Sequence, residues 1–304
     1  MTDSQSPAIA TAVNKNGHKQ TRASLTTAMV VVCILVWAVS QFPPIATETT
    51  FLRLFVLPVE EIRSGGYWTL ITSNFLHLEL WHLAGNVYWL WAFSSVIERK
   101  IGRKLLLVFV LSAALVSSLF QIAHLDTTGI GASGTVYAMF GLLWSSRRHV
   151  VEFSRALPDS RVSLCLGWMG ICVVVDYLNV MTVGNAAHIF GLLFGSLVGF
   201  GCYGEFAPRI FRMSAAGLIA LGIVPLFWCP WSASWLSETA YQAHLAEDFD
   251  SAIAWYSRLI AHDPENAWAY LNRSSAYEAI GDLLAAQADY DAAIALDPDV
   301  LDAM

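Results

Sequence analysis

The sequence predicts an all-α fold, in which a polytopic membrane helix bundle of six spans and an added seventh span precede a small α-helical repeat domain. Of the 304 residues, 56% are hydrophobic and 13% are charged, whereas about a quarter of the residues in a soluble domain are charged. Seven apolar runs are separated by polar connections. Residues 237–304 contain 13 acidic and 2 basic residues, a net charge of −11, while residues 1–236 carry +4. These observations predict a slightly basic membrane body joined to an acidic soluble tail.

The seven apolar runs are the predicted spans, and each can cross all or a large part of a hydrocarbon core about 30 Å thick. They cover residues 25–42, 78–97, 105–124, 133–146, 162–178, 186–203 and 213–228. The polar segment 1–24 is predicted to be disordered and cytoplasmic. The connection 43–77 is too apolar for a free loop, but its apolar stretches are too short to span. We therefore expect segments that lie in the membrane interface.

Basic residues predict the orientation of the bundle. The segments on one side contain thirteen of them: Lys15, Lys19, Arg22, Arg99, Lys100, Arg103, Lys104, Arg147, Arg148, Arg155, Arg161, Arg209 and Arg212. The connections on the other side contain only Arg53 and Arg63. Because basic residues concentrate on the cytoplasmic side, we expect a multi-pass protein of the bacterial inner (plasma) membrane with a cytoplasmic N-terminus. The seventh span, within 206–235, then places the tail outside the cytoplasm.

The tail, 236–304, repeats itself. Segment 260–265 matches 294–299 at a shift of 34 residues, and three further pairs keep this offset. These pairs are Asp248 and Asp282, Ala252 and Ala286, and Tyr256 and Tyr290. Small and large residues at this spacing let paired helices nest, and a proline ends the second helix. The period resembles the tetratricopeptide repeat, which implies a protein partner for the tail.

The stretch Gly131-Ala132-Ser133-Gly134 opens the fourth run. One interpretation is packing, because small residues let membrane helices approach closely and a serine can bond to a neighbouring backbone. The other is a nucleophile at a helix N-terminus, where glycines leave room for a substrate carbonyl. The second interpretation requires a base and an oxyanion site at the same depth.

Polar residues in the second run supply candidates for that oxyanion site. His82 and Asn86 are four residues apart and share one helical face. Each alone is more often an interhelical hydrogen bond, but polar groups in spans are costly and tend to mark function. A metal site of His77, His82 and His188 is a third option, which lacks the carboxylate or cysteine of common ligand sets. We therefore expect neither a metal nor another cofactor.

His188 lies one turn before a stripe of small residues in the sixth run, namely Gly191, Gly195 and Gly199. The fourth run has glycines of its own at 134 and 141. Close packing of these two helices would bring His188 to Ser133. Counted from the cytoplasmic charges at 1.5 Å per residue, Ser133, His188, His82 and Asn86 all lie about 18–25 Å up the bundle.

This set of residues suits acyl transfer. A serine hydroxyl needs a base, and histidine is the usual one near neutral pH. Asn86, His82 and the backbone N–H of Ser133 can donate to an oxyanion. Asp176 is the right type of residue to orient His188, but its place near the outer end of the fifth run does not favour that role. A Ser-His dyad is therefore predicted.

Three motifs in this order resemble the rhomboid intramembrane serine proteases: His-x4-His-x3-Asn in the second run, Gly-x-Ser-Gly opening the fourth, and Ala-His-x2-Gly-x3-Gly in the sixth. The resemblance covers 25–205. It implies Ser133 as the nucleophile, His188 as the base, and His82 and Asn86 in the oxyanion hole. The supporting residues that it implies are Gly131, Gly134, Tyr137, Gly191, Ser117 and Gln121. Tyr137 would stack on the base.

Ser117 and Gln121 have two interpretations. The resemblance implies that they hold water near the site, whereas the residues alone predict interhelical hydrogen bonds.

The predicted function is a serine endopeptidase that cleaves transmembrane or membrane-anchored proteins near the outer face of the bilayer. Segments with Gly, Ala or Pro, which unwind locally, are the expected substrates. The alternative is a catalytically idle adaptor that binds transmembrane segments and recruits partners through its tail. A transporter is disfavoured, because it would need buried charged residues along a substrate path, and Asp176 is the only plausible one. Nothing in the composition indicates nucleic-acid binding.

Overall fold

The computed structural model describes residues 23–42 and 49–303, and these residues form fifteen α-helices and two 3₁₀ turns without a β-strand. The all-helical prediction is therefore confirmed for this part of the chain. The segment 1–24, predicted to be disordered, lies outside the described residues except for its last two positions.

Eleven of these helices form the body. They are α1 (Ser24–Ser40), α2 (Thr49–Leu52), α3 (Val59–Arg63), α4 (Thr69–Thr72), α5 (Leu80–Ile101), α6 (Arg103–Leu125), α7 (Ser133–Ser146), α8 (Val151–Ala156), α9 (Asp159–Tyr177), α10 (Asn185–Tyr203) and α11 (Pro208–Phe227). Among the described helices, α6, α9, α10 and α11 are long and apolar enough to cross a membrane, and α1 is a shorter apolar helix. The apolar helices support a multi-pass membrane protein. The count of seven spans stays a prediction.

Residues 49–77, the described part of the connection, contain three short helices and a 3₁₀ turn, Ser73–Phe75, where the sequence predicts interfacial segments. Apolar side chains from α3 and α4 pack on α6 and α11. The cluster consists of Leu57, Val59, Ile62, Leu70, Leu119, Ile122 and Leu226. Ser118 also donates a hydrogen bond to the carbonyl of Leu70, 2.8 Å away. The described part of this connection is therefore fixed to the bundle near the end of α6.

Helix α7 lies at the centre of the body, with eleven of its fourteen residues buried. Its closest partner is α10, and glycines make this approach possible. A Cβ atom at Gly195 would lie 2.6 Å from the carbonyl carbon of Ala138, and one at Gly191 would lie 3.1 Å from that of Gly134. The backbones of α7 and α10 are therefore in direct contact along their length.

The C-terminal end of α5 supports the start of α1. The buried carboxylate of Glu98 accepts hydrogen bonds from the N–H groups of Leu25 and Thr26, at 3.0 and 2.8 Å, and from the Thr26 hydroxyl. The first N–H groups of a helix have no partner within it and favour a negative charge. Glu98 thus joins the two helices at this end.

From the N-cap Ser232 onward, a segment that we call the tail from here on, the chain forms four α-helices: α12 (Ala233–Leu245), α13 (Phe249–His262), α14 (Ala267–Ala279) and α15 (Leu283–Leu296). The bounds of α12 and α13, advanced by 34 residues, are the bounds of α14 and α15. The N-cap side chains keep the same offset, since Ser232 corresponds to Asn266 and Asp248 to Asp282. The tail is therefore two helical hairpins of equal dimensions, although the sequence of α12 matches that of α14 poorly.

Candidate active site

Ser133 and His188 meet where α7 and α10 both begin. Ser133 is the first residue of α7, and its Oγ lies 2.8 Å from Nε2 of His188. His188 is in the first turn of α10 and only 4% of its surface is exposed. If the ring proton is on Nδ1, Nε2 accepts the hydroxyl proton of the serine. The pair has the distance that general-base activation of a serine requires.

The approach to Ser133 depends on Gly131. Its φ of +93° is a conformation that residues with a side chain rarely adopt. A Cβ atom at this position would lie 2.6 Å from Cε1 of His82. The Gly131 N–H donates to the carbonyl of Ser73, 3.0 Å away. Glycine therefore permits both the turn and the close contact with a histidine ring.

The start of α10 is held from two sides. The side chain of Gln121 is buried, and its Oε1 accepts a hydrogen bond from the N–H of Ala187 at 3.2 Å. Asp176 accepts from the Val183 N–H at 3.0 Å and from the Asn185 side chain at 2.9 Å. Asp176 thus organises the loop before α10 and does not hydrogen-bond His188.

Nδ1 of His188 is buried and has no hydrogen-bond partner among the described residues. The structure therefore arranges a serine and a histidine as a pair, without an acidic third member bonded to the ring.

Tyr137 packs against the ring of His188. It lies one turn after Ser133, and its ring centroid is 4.8 Å from that of His188, with 39° between the ring planes. The phenol donates a hydrogen bond to the carbonyl of Cys165 in α9, 3.1 Å away. This bond fixes the tyrosine ring, and the ring limits rotation of the imidazole.

The Ser117 side chain fills the space that Gly134 and Gly191 leave beside Ser133 and His188. A Cβ atom at Gly134 would lie 2.6 Å from the Ser117 Oγ, and one at Gly191 would lie 3.1 Å from it. The Ser117 hydroxyl is buried at the crossing of α6, α7 and α10. The two glycines thus allow a polar side chain to lie at the point where three helices meet.

The two candidates on α5 are placed differently. The His82 ring lies against Gly131, next to the segment that carries Ser133. The Asn86 side chain is 6% exposed and its Nδ2 donates to the carbonyl of His82, 3.0 Å away, within the same helix. The structure brings His82 to the serine segment, whereas the amide of Asn86 is directed to its own helix.

His77 holds the backbone before the serine, a role that the sequence did not reveal. The residue is fully buried. Nδ1 lies 3.2 Å from the Phe75 carbonyl, so a proton there leaves Nε2 to accept from the Ala132 N–H at 3.4 Å. Its ring packs edge-on against that of His82, with centroids 5.1 Å apart. Nε2 of His77 is thus occupied by a protein atom, as is Nε2 of His188, which argues against the three-histidine metal site.

Asn74 is a second residue near Ser133 that the sequence did not identify. Its Oδ1 accepts a hydrogen bond from the hydroxyl of Thr135, 2.8 Å away in the first turn of α7. The only signal in the sequence is the polar run Thr72-Ser73-Asn74 within an apolar connection. That signal could not be assigned to the site, because the run lies about sixty residues before the helix it contacts.

Comparison with known proteins gives a consistent result. Residues 64–205 match the rhomboid domain model. The chain is 30% identical over 194 residues to the rhomboid protease GlpG of Pectobacterium atrosepticum, an alignment that covers 63% of this chain and 67% of that protein. It is 28% identical over 178 residues to the proteins of the same name from Yersinia enterocolitica and Serratia proteamaculans, covering 58% of this chain and 62% of each of them.

This chain therefore spans somewhat less than two thirds of the Yersinia and Serratia relatives, and the domain match ends before α11 and the tail. Within the matched region, the family's domain contains both members of the Ser133–His188 pair and the helices that hold them. The chain belongs to the rhomboid family.

Proposed function

We propose that this protein is an intramembrane serine endopeptidase that cleaves transmembrane or membrane-anchored proteins near the outer face of the membrane. The observation that carries the proposal is the 2.8 Å contact between Ser133 Oγ and His188 Nε2. Membership of the rhomboid family, with relatives named as rhomboid proteases, supports it.

In the proposed mechanism, His188 takes the hydroxyl proton as Ser133 Oγ bonds to the scissile carbonyl carbon. The imidazolium then protonates the leaving nitrogen as the C–N bond breaks, and an acyl ester remains on the serine. His188 next takes a proton from a water molecule whose oxygen bonds to the ester carbon. The imidazolium then returns this proton to Ser133 Oγ as the ester C–O bond breaks, and the second product leaves as a carboxylic acid. No metal or other cofactor takes part.

The oxyanion of each tetrahedral intermediate is proposed to bind the side chains of His82 and Asn86 and the backbone N–H of Ser133. The position of the His82 ring against Gly131 and the unpaired N–H groups at the start of a helix support this assignment. Asn86 must exchange its bond to the His82 carbonyl for one to the substrate. Loss of one such donor costs roughly 2.7–4 kcal/mol of transition-state stabilisation.

A cleavage assay tests the proposal. Purified protein in liposomes is mixed with a model transmembrane segment that contains Gly, Ala and Pro, and a fluorophosphonate probe reports labelling of the serine. We expect Ser133→Ala and His188→Ala each to lose more than about 10³-fold in cleavage rate. The Ser133→Ala variant should also lose the label. Ser145→Ala, in the same helix with its hydroxyl bonded to the Gly141 carbonyl, is the matched control and should cleave normally.

Folded wild-type protein that neither cleaves nor reacts with the probe would contradict the proposal. That result would favour the idle adaptor, which binds transmembrane segments without cutting them.

The location is also proposed. The distribution of basic residues favours the bacterial plasma membrane, with a cytoplasmic N-terminus and an extracytoplasmic tail. A protease added to intact spheroplasts should therefore degrade the tail. The same protease added to the outside of inverted vesicles, where the cytoplasmic face is exposed, should leave the tail intact. Digestion of the tail from the cytoplasmic side would overturn this topology.

For the tail we propose a tetratricopeptide-like repeat that binds a protein partner or substrate. The two hairpins of equal dimensions with a 34-residue period support this assignment. Deletion of 237–304 should weaken the cleavage of native substrates while a free transmembrane segment is still cut. If every native substrate were cleaved unchanged, this role would be wrong.

A further inference from the structure

Four polar residues join the tail to the body, and we call them the polar junction: Arg63, Asp126, Ser232 and Ser234. The guanidinium of Arg63 donates to the Ser234 hydroxyl at 2.9 Å and to the Ser232 hydroxyl at 3.3 Å. Ser232 donates to one carboxylate oxygen of Asp126, and the Ser234 N–H donates to the other at 3.2 Å. Arg63 also lies 3.8 Å from Asp126 as an ion pair.

Arg63 and Ser232 of the polar junction are largely removed from solvent, whereas the Asp126 side chain is 26% exposed. The side chain of Arg63 is 10% exposed and Ser232 is 5% exposed. Hydrogen bonds to charged groups are stronger than those between neutral groups, and they strengthen further away from water. The Ser232 hydroxyl also accepts from the Trp235 N–H at 3.0 Å, so the same atom caps helix α12. The start of the tail is therefore fixed to the body by charged partners.

The Asp126 side of the junction leads directly to the nucleophile. Asp126 ends α6 in a left-handed conformation, with φ of 52°. It begins the seven-residue segment 126–132 that separates α6 from Ser133. Holding its carboxylate holds the first residue of this segment. Trp231 adds a second contact at the same place, since its indole N–H donates to the Ala123 carbonyl, 2.9 Å away.

The Arg63 side leads to the same point by another route. Arg63 is the last residue of α3, which is followed by α4 and the 3₁₀ turn. That turn supplies the Ser73 carbonyl for the Gly131 N–H and the Asn74 side chain for the Thr135 hydroxyl. Both routes therefore end at the N-terminus of α7, on either side of Ser133.

We propose that Ser232, Arg63 and Asp126 are positioning residues for Ser133. On this view, which rests on the proposed function, the first turn of the tail fixes the two segments that hold the N-terminus of α7. The tail is then part of the scaffold of the active site as well as an appended domain. A weakened junction loosens segment 126–135 and slows the reaction of the serine, without changing the binding of a transmembrane substrate.

The competing explanation is that the junction only anchors the tail. Amide hydrogen exchange of the full-length protein in detergent separates the two, because exchange reports local opening whether or not the protein is an active protease. Ser232→Ala removes the central hydroxyl, and Ser232→Thr restores one that can also cap a helix. Asp126→Asn tests the other side, because asparagine tolerates the left-handed conformation. Ser237→Ala makes the same chemical change one turn further along α12 and is the matched control.

We expect exchange in 127–135 to become about tenfold faster in Ser232→Ala and in Asp126→Asn, which corresponds to about 1.4 kcal/mol. Exchange in α13 to α15 should stay as in the wild type, and Ser232→Thr and Ser237→Ala should resemble the wild type throughout. Unchanged exchange in 127–135, or an equal increase over the whole protein, would overturn the positioning role.

Labelling kinetics give the second measurement. Fluorophosphonate should react with Ser133 about tenfold more slowly in Ser232→Ala, and kcat for a transmembrane segment should fall while KM is unchanged. Wild-type protein that does not react would refute the protease proposal alone, since hydrogen exchange still decides the role of the junction. A raised KM for the transmembrane segment, together with a normal rate of labelling at Ser133, would contradict the positioning role.

Discussion

At the scale of single residues, the site depends on positions where the backbone or a buried polar group leaves no alternative. Gly131 adopts a positive φ and touches the His82 ring. The pairing of Ser133 with His188 could be predicted, because each belongs to a motif with fixed spacing, and the place of Tyr137 follows from the resemblance to the rhomboid proteases. The hydrogen bonds of His77 and Asn74 could not be predicted, although His77 opens the His-x4-His-x3-Asn motif, because both residues lie in a connection without periodicity and each makes a single hydrogen bond to the segment 132–135.

The first prediction concerns Gly131→Ala. The added methyl group would be strained by the positive φ and would lie 2.6 Å from His82 Cε1, so the serine segment must shift. We expect fluorophosphonate labelling of Ser133 to slow by about 100-fold, since a misplacement of about 1 Å can have that effect.

Gly129→Ala is the control for this change. Gly129 also has a positive φ, of 68°, but a Cβ atom there would lie 3.5 Å from Cγ of Gln121, which is an ordinary van der Waals contact. Labelling of this variant should fall far less. Equal losses in the two variants would mean that backbone strain alone, and not contact with His82, determines the effect.

At the scale of elements, the bounds of α7 follow from its sequence, whereas those of α5 do not. The apolar run before Glu98 predicts that the second span ends at Ile97, but the helix continues to Ile101. The reason is that the Glu98 carboxylate is bonded to the start of α1 and so is tolerated within the bundle. The bounds of the individual short helices between 49 and 72 could not be predicted, because their apolar side chains are held by packing against α6 and α11.

The second prediction concerns the contact between α7 and α10. In Gly195→Ala the new methyl group would lie 2.6 Å from the Ala138 carbonyl carbon. The two helices must therefore move apart, and this movement also separates Ser133 from His188. We expect a loss of stability of about 1–3 kcal/mol, the usual cost of overpacking, and at least a tenfold fall in labelling rate.

Gly170→Ala provides the comparison, because it lies in α9 with no atom within 4 Å of the added methyl group. This variant should be as stable as the wild type or slightly more stable, since alanine favours a helix. Thermal unfolding in detergent measures both variants. A Gly195→Ala protein with normal stability and labelling would show that α10 has room to move away from α7 at no cost.

At the scale of the whole molecule, the body and the tail have different sources of stability. The body buries apolar helices around α7, whereas the tail also uses a largely buried ion pair between α14 and α15. Arg273 donates two hydrogen bonds to Asp289, at 2.7 and 2.8 Å, and a third to the Ser257 hydroxyl in α13 at 2.9 Å. The side-chain hydrogen bonds to Asp289 raise the pKa of Arg273 above its usual value. The period of the tail could be predicted from its sequence, but this link between its helices could not.

The third prediction is that Arg273→Met destabilises the tail by about 3–5 kcal/mol, because it leaves the Asp289 carboxylate buried without its partner. Limited proteolysis should cut α13 to α15 much faster in this variant. Labelling of Ser133 should be unchanged, because the polar junction precedes these helices. Arg258→Met, which removes only a cation placed 4.5 Å over the Trp255 ring, should cost about 0.5–1 kcal/mol. Loss of labelling in Arg273→Met would indicate that the hairpins themselves support the site.

The pairing of Ser133 with His188 also has a consequence in time. The two residues are 55 positions apart in the chain, and a ribosome adds about 5–20 residues per second. The nascent protein therefore carries the serine for about 3–11 s before the histidine has been made. During that interval the hydroxyl lacks its histidine partner, so the pair to which we attribute cleavage is not yet assembled. Assembly of the pair is thus coupled to the synthesis of α10, the second-last helix of the body along the chain.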